Sequence, residues 1–183
     1  MKHRNTGFTI VELLIVIVVI GILAAITIVA FNGVQQRAEN NKTVSAVKEY
    51  AKLAQAYAAE KSEYPIVNWA CLAPHTTPTA ARCGNLTDGV STCGGGGASS
   101  NATFDTALKT VASKLPELSS QQMNCGGKTY AGAWYHSTDG RTATIQYYLR
   151  GNVDTCPSIG SLRHVSRGQT NDTTWCNTTL PAL

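Results

Sequence analysis

The sequence predicts an α+β protein: a long N-terminal α-helix, membrane-spanning over its first half and amphipathic over its second, packed on a small antiparallel β-sheet head held by disulfides. Three observations carry this prediction. From Phe8 to Phe31 there are 24 consecutive residues in which Glu12 is the only charge. An alanine-rich stretch with helical periodicity follows without a breaker. The remainder holds all six cysteines, together with short aromatic and β-branched runs between turn residues.

The apolar run is long enough to cross a bilayer as a helix, which takes about 20 residues. A carboxylate inside such a segment costs roughly 2.5–3.5 kcal/mol on insertion scales, so Glu12 calls for a partner or a purpose. It lies one helical turn beyond Phe8 on the same face. An ordinary secretory signal has an apolar core of only about 7–15 residues and an A-x-A-like end, and Ala24-Ala25-Ile26 is not one. A plain single-span anchor explains the length but neither Glu12 nor Gly7-Phe8. Lys2, His3 and Arg4 precede the run, which places the N-terminus in the cytoplasm and the rest outside it.

Gly7-Phe8-Thr9-Ile10-Val11-Glu12, preceded by the basic leader and followed by an apolar run containing Gly21, resembles the N-terminal motif of type IV prepilins, the family of type IV pilins and pseudopilins. The resemblance is strong over about the first 30 residues and extends more loosely to Tyr64-Pro65. It implies cleavage after Gly7 by a membrane peptidase and methylation of the new N-terminal amine of Phe8. It also implies pairing of Glu12 with the N-terminal amine of a neighbouring subunit during assembly. Opposite charges attract far more strongly in a low dielectric than in water, so such a pair would set the axial register between subunits. The implied organisation is a leader over 1–7, a transmembrane and filament-core helix over 8–31, its amphipathic continuation over 32–64, and an α+β head over 65–183.

By the same resemblance the expected function is a structural subunit of a type IV pilus, not an enzyme, serving motility or adhesion. The implied partners are other pilin subunits in a homopolymer or mixed filament, the prepilin peptidase, the inner-membrane assembly machinery and the membrane itself. The expected location is the cytoplasmic membrane first and an extracellular pilus afterwards. Two alternatives stand beside it: a pseudopilin of a type II secretion system, and a minor pilin for DNA uptake or adhesion. A C-terminal calcium loop rich in Asp would favour the pseudopilin. The tail instead has cysteines with only Asp154 and Asp172, which favours a pilin. Pilins often carry a proline partway along the apolar segment; Gly21 to Phe31 has none, so Gly21 and Asn32-Gly33 are the soft points of the helix.

The cysteines Cys71, Cys83, Cys93, Cys125, Cys156 and Cys176 all follow the apolar run, on the side where oxidation is allowed. Six cysteines permit 15 pairings. No C-x-x-C occurs, and the spacings of a structural zinc site are missing. Sequential pairing is the expectation, Cys71–Cys83, Cys93–Cys125 and Cys156–Cys176. The last pair is the one the resemblance supports, because many pilins close a loop near the C-terminus.

Along the chain, Val34, Ala38, Val44, Val47, Ala51, Ala54, Tyr57 and Ala58 recur at helical spacing. Pro65 ends the pattern, giving one helix from about Thr9 to Ser62, roughly 80 Å at 1.5 Å per residue. Ile66 to Ser100 reads as a flexible, disulfide-stapled loop containing Pro74, Pro78 and Gly94 to Gly97. No G-K-[ST] follows these glycines, which excludes a phosphate-binding loop. Thr103 to Leu115 reads as a short helix stopped by Pro116. Thr129 to His136 and Arg141 to Leu149 read as strands joined at the Asp139-Gly140 turn, and Leu162 to Arg167 as a third.

The composition adds no chemistry. Fifteen basic residues against eleven acidic give +4, and without Lys2 and Arg4 the balance is +2, too small to call for nucleic acid. His75, His136 and His164 are scattered, with no H-E-x-x-H and no G-x-S-x-G, so neither a metal nor any other cofactor is expected. Arg141, Arg150, Arg163, His164 and Arg167 concentrate base in the C-terminal third and make DNA a further candidate partner, with surface solvation the simpler account. Trp134, Tyr135, Tyr147 and Tyr148 are rings of the kind that stack on bases or sugars, but alternation along strands sends half of them to the core.

Overall fold

The computed structural model describes residues 9–72, 75–76, 81–87, 93–160, 162–170 and 172–183. The leader, Phe8, Pro74, Pro78 and Asn171 lie outside the described residues. Helix α1 runs Ile10–Lys61 and helix α2 Ala102–Lys109. The strands are β1 Val67–Leu72, β2 His75–Thr76, β3 Ala81–Asn85, β4 Gly97–Ser99, β5 Gln122–Cys125, β6 Lys128–Ala131, β7 Ala133–Ser137, β8 Thr144–Arg150, β9 Arg163–Thr170 and β10 Thr173–Thr179. The chain divides into two compact units, 1–38 and 39–183.

In the first unit α1 is continuous through Gly21 and Asn32-Gly33. In the second, its Val47, Tyr50, Ala51, Ala54 and Ala58 are buried. Small alanines let the helix approach closely, and Tyr50 fills the remaining space beside Phe104 of α2. Polar side chains fasten this part of the helix. Asn40 donates to the Arg150 carbonyl and accepts from the Arg150 amide, and Ser119 donates to the Glu39 carboxylate. The helix ends at Ser62, whose φ of +60° and amide bond to the Ala58 carbonyl form a left-handed cap, three residues before Pro65.

The α+β class stands, but the sheet is neither small nor purely antiparallel. Among the described residues it has ten strands in the order β5-β6-β3-β4-β1-β7-β8-β10-β9, with β2 paired to β3 and with β1 parallel to β4. Its inward side packs Tyr135, Ile145, Tyr147, Leu149 and Cys176 on α1 and α2. Part of its outward side carries a second buried cluster built from Cys71, Cys83, Cys93, Cys125, Met123, Tyr130, Trp134 and Tyr148.

Several expectations are corrected here. Ile66 to Ser100 is not simply loop, since β1 to β4 lie within it. These strands are short and lack an apolar alternation, and β1 takes its partners from β4 and β7, far away in sequence. Gly94 is not part of a flexible loop: a Cβ there would collide with the Trp175 ring. The expected strand 129–136 is broken at Gly132, whose φ of +70° sends β6 toward β3 and β7 toward β1. Helix α2 stops at Thr110, well before Pro116, because the Thr110 hydroxyl and amide both turn back to the Ala107 carbonyl. The tail after Arg167, for which the sequence reading names no strand, forms β10. The rings of Trp134, Tyr135, Tyr147 and Tyr148 are all buried, not half of them.

The β7–β8 turn is present as expected. Asp139 accepts from the amides of Thr142 and Arg141, and these bonds hold its carboxyl below the usual carboxylate range. A depressed pKa contributes stability that is complete above the ordinary range and fades as pH falls through the lowered value. Asp139→Ala is therefore expected to lower the melting temperature at pH 7, with the gap to wild type closing below about pH 4. Asp139→Asn, which keeps the acceptor but not the charge, should show a smaller loss that also shrinks as pH falls, because the pH dependence lies in the wild-type carboxylate. Thermal unfolding followed across pH checks both.

Candidate functional site

Residues 10–38 of the first unit lie on helix α1. Its fourteen large apolar residues from Ile10 to Ile28 are 47% to 86% exposed. At about 1.5–3 kcal/mol for each, covering them is worth on the order of 20 kcal/mol. That exceeds the ~5–15 kcal/mol net stability of a typical domain, so this surface cannot be left in water. The helix is long and apolar enough to cross a membrane. Its interior hydroxyl is satisfied within the segment, Thr27 donating to the Ala24 carbonyl at 3.0 Å.

Glu12 sits in the first turn, and its carboxylate is engaged locally. Oε2 accepts from the Thr9 amide at 2.8 Å and from the Thr9 hydroxyl at 2.7 Å. In return the Thr9 Oγ1 accepts from the Glu12 amide at 3.2 Å. This is a capping box, in which two residues three apart satisfy amides that a helix start leaves without partners. The carboxylate also lies at the positive end of the helix dipole, which favours its charge. Glu12 is thereby held at the extreme start of an apolar helix with one oxygen committed to its own chain. Thr9 escapes a reading fixed on Glu12, although Thr9-x-x-Glu12 is itself the spacing of a capping box.

Of the expected processing residues, Gly7 and Phe8 lie outside the described residues. The six cysteines form Cys71–Cys83, Cys93–Cys125 and Cys156–Cys176. The first two lie in the outward cluster, where they tie β1 to β3 and β5 to the chain before β4. The third ties β10 to the segment after β8. None of these pairs is near the candidate site in sequence. The described residues contain no group of three His, Cys, Asp or Glu able to hold a metal ion. Of the basic residues of the C-terminal third, Arg150 and Arg167 are engaged within the chain, while Arg141, Arg163 and His164 are exposed. Arg150 pairs with Asp172 at 2.9 Å, and Arg167 donates to the Val153 carbonyl and to Gln169.

The cap makes a local prediction. Thr9→Val removes the hydroxyl arm while keeping a strand-like rotamer and similar volume. Amide hydrogen exchange in detergent micelles should then quicken about fivefold over the first turn, the effect of ~1 kcal/mol of lost capping. The exchange of β7 and β8 should not change.

Residues 2–28 match the family described as "Prokaryotic N-terminal methylation motif". The chain is 32% identical over 80 residues to the type II secretion system core protein G of Aeromonas hydrophila, covering 44% of this chain and 56% of that protein. It is 29% identical over 87 residues to the core protein G of Vibrio cholerae serotype O1, covering 48% of this chain and 60% of that one. It is 39% identical over 61 residues to the type IV major pilin protein PilA of Myxococcus xanthus, covering 33% and 28%. The chain thus spans about half the length of the type II secretion relatives it matches. No solved structure shows a significant match. With an N-terminal methylation motif opening a long exposed apolar helix that Glu12 caps, the chain carries the prepilin-type N-terminal segment and is related to type II secretion core proteins and to a type IV pilin.

Proposed function

We propose that this protein is a structural filament subunit. Its exposed apolar helix is held first in a membrane and then against the same helix of other copies. The observation that carries this is the uncovered surface from Ile10 to Ile28, with Glu12 as its only charge. Both settings are apolar, so moving from bilayer to polymer leaves the hydrophobic term nearly unchanged. The start of the helix is the place where a charged partner is needed. The N-terminal amine produced by cleavage between Gly7 and Phe8 supplies one, and the second lone pairs of the Glu12 carboxylate remain for it. In this reading a peptidase, a methylating activity and a membrane assembly apparatus act on the chain, and the chain itself catalyses nothing.

Two finer readings divide on specific observations. The three disulfides, which staple both the outward cluster and the C-terminal strand, suit a subunit of a surface pilus exposed to shear and proteolysis. The predominance of type II secretion core protein G among the relatives supports a pseudopilus subunit at least as well. DNA is not carried forward as a partner, because no observation beyond exposed basic residues favours it and Arg150 is already paired with Asp172.

Intact mass and N-terminal sequencing of native membrane and sheared surface fractions separate these readings. A chain beginning at Phe8, heavier by one methyl group and lighter by six hydrogens, is expected in either case. Its presence in the sheared fibres supports the pilus; confinement to the membrane fraction supports the pseudopilus. A chain that keeps residues 1–7, or one cut beyond Phe31, would refute the filament reading.

A further inference from the structure

The outward side of the sheet is covered over one part and open over another. Beyond Trp134 the paired positions across β7, β8, β10 and β9 are His136, Thr144, Thr179 and Arg163, with Asn177 and Ser166 in the neighbouring row. All six are half-buried or exposed. The row leads into an open groove of about 460 Å³ whose lining includes Thr142, Arg163, Thr179 and Pro181. At its other end stands Trp69. This tryptophan sits in a β-bulge, where the β1–β7 register shifts between Val67 and Ala70. Its φ is +64°, a conformation that non-glycine residues rarely adopt, yet its side chain is not buried in return: it is 44% exposed. The ring is held by two neighbours. His136 lies 4.5 Å away at a tilt of 33°, and Trp134 meets it edge-on at 4.5 Å. A bulge that re-aims a side chain, with the ring braced by two aromatic neighbours and still partly exposed, is the construction of a binding platform.

We propose that Trp69 and this row bind a flat, extended, neutral oligosaccharide, as presented by an extracellular β-1,4-linked polysaccharide. A pyranose ring offers a face of C–H bonds and a rim of hydroxyls that both donate and accept. The indole meets the face; the half-buried Thr144 and Thr179 match the rim with hydroxyls of the same double capability. Adjacent strands are about 4.8 Å apart, so the row from His136 to Arg163 extends roughly 14 Å, the length of about three pyranose units. Charge decides against nucleic acid. A single-strand binding groove lines its stacking rings with cations, and Arg163 is the only formally charged side chain among the six. This inference is independent of the filament reading.

The test uses the full chain in detergent micelles, titrated with cellohexaose and chitohexaose while tryptophan fluorescence is followed, alongside an array of other neutral oligosaccharides. Saturable binding to at least one β-1,4-linked probe is expected. Trp69→Gly should weaken it about tenfold or more, the scale of one lost aromatic contact. Glycine tolerates the left-handed backbone, so this variant should keep a cooperative melt. Thr179→Val, which keeps the shape and removes one hydroxyl, should weaken binding about threefold. The proposal fails if no neutral oligosaccharide binds saturably, or if binding survives both substitutions. It also fails if a single-stranded oligonucleotide binds in preference with strong salt dependence, or if Trp69→Gly abolishes self-association of a chain that binds no sugar.

Discussion

The protein is governed by one constraint: an apolar helical surface that its own chain leaves uncovered. Between Ile10 and Ile28 no side chain is buried, and the free energy at stake rivals or exceeds the net stability of a folded domain. Such a segment exists only in a bilayer or in contact with other apolar surfaces. The one charge within it sits where a helix best accommodates a carboxylate, at the N-terminal turn, joined to Thr9 in a reciprocal cap. Glu12 therefore has two roles with a common electrostatic basis. It completes the helix start of its own chain, and in the filament reading it meets the amine of another. Removing its charge would affect both, which is why a change at Thr9, touching only the first, is informative beside one at Glu12.

The second unit answers a different demand. A sheet of ten strands has two faces, and α1 with α2 covers one of them. The chain covers part of the other with a cluster of cysteines and aromatic rings, in which two disulfides replace the larger core that a longer chain would build. Glycines at 94 and 95 admit the Trp175 and Trp134 rings, and that close approach accounts for these two positions of the glycine run. What this layer leaves open is polar, carries a single formal charge at Arg163 and is bordered by Trp69. The backbone strain at Trp69 is meaningful for that reason: a sequence under no demand at this position could relieve it with glycine.

Much of this was legible in the residues. The apolar run, its lone acid and the basic leader identify the N-terminal segment because each is a local feature with a length or spacing requirement. The turn at Asp139-Gly140 is legible for the same reason. The strands inside 66–100 and the strand over 173–179 were not. Their residues are mostly Gly, Thr, Cys and Asn, and much of their identity as strands comes from partners such as Trp134 and Tyr147, far away in sequence. The aromatic set misleads in an instructive way. Strand alternation sends Trp134 and Tyr148 outward, but the disulfide-stapled layer buries them, and the ring that reaches solvent is Trp69, displaced by a bulge that no pattern announces. The capping box was written in Thr9-x-x-Glu12 all along; a carboxylate inside an apolar run draws attention to distant partners and away from a neighbour three residues back.

The central claim is that the helical surface from Ile10 to Ile28 is finally covered by the same surface of other copies. A photo-activatable residue in place of Leu23, in the full-length chain expressed in its native cells, tests it directly. The account predicts cross-linked products at multiples of the subunit mass, with peptides from residues 10–28 joined to the photo-residue. Cross-links to lipid alone, under conditions where the chain is processed at Phe8, would contradict it.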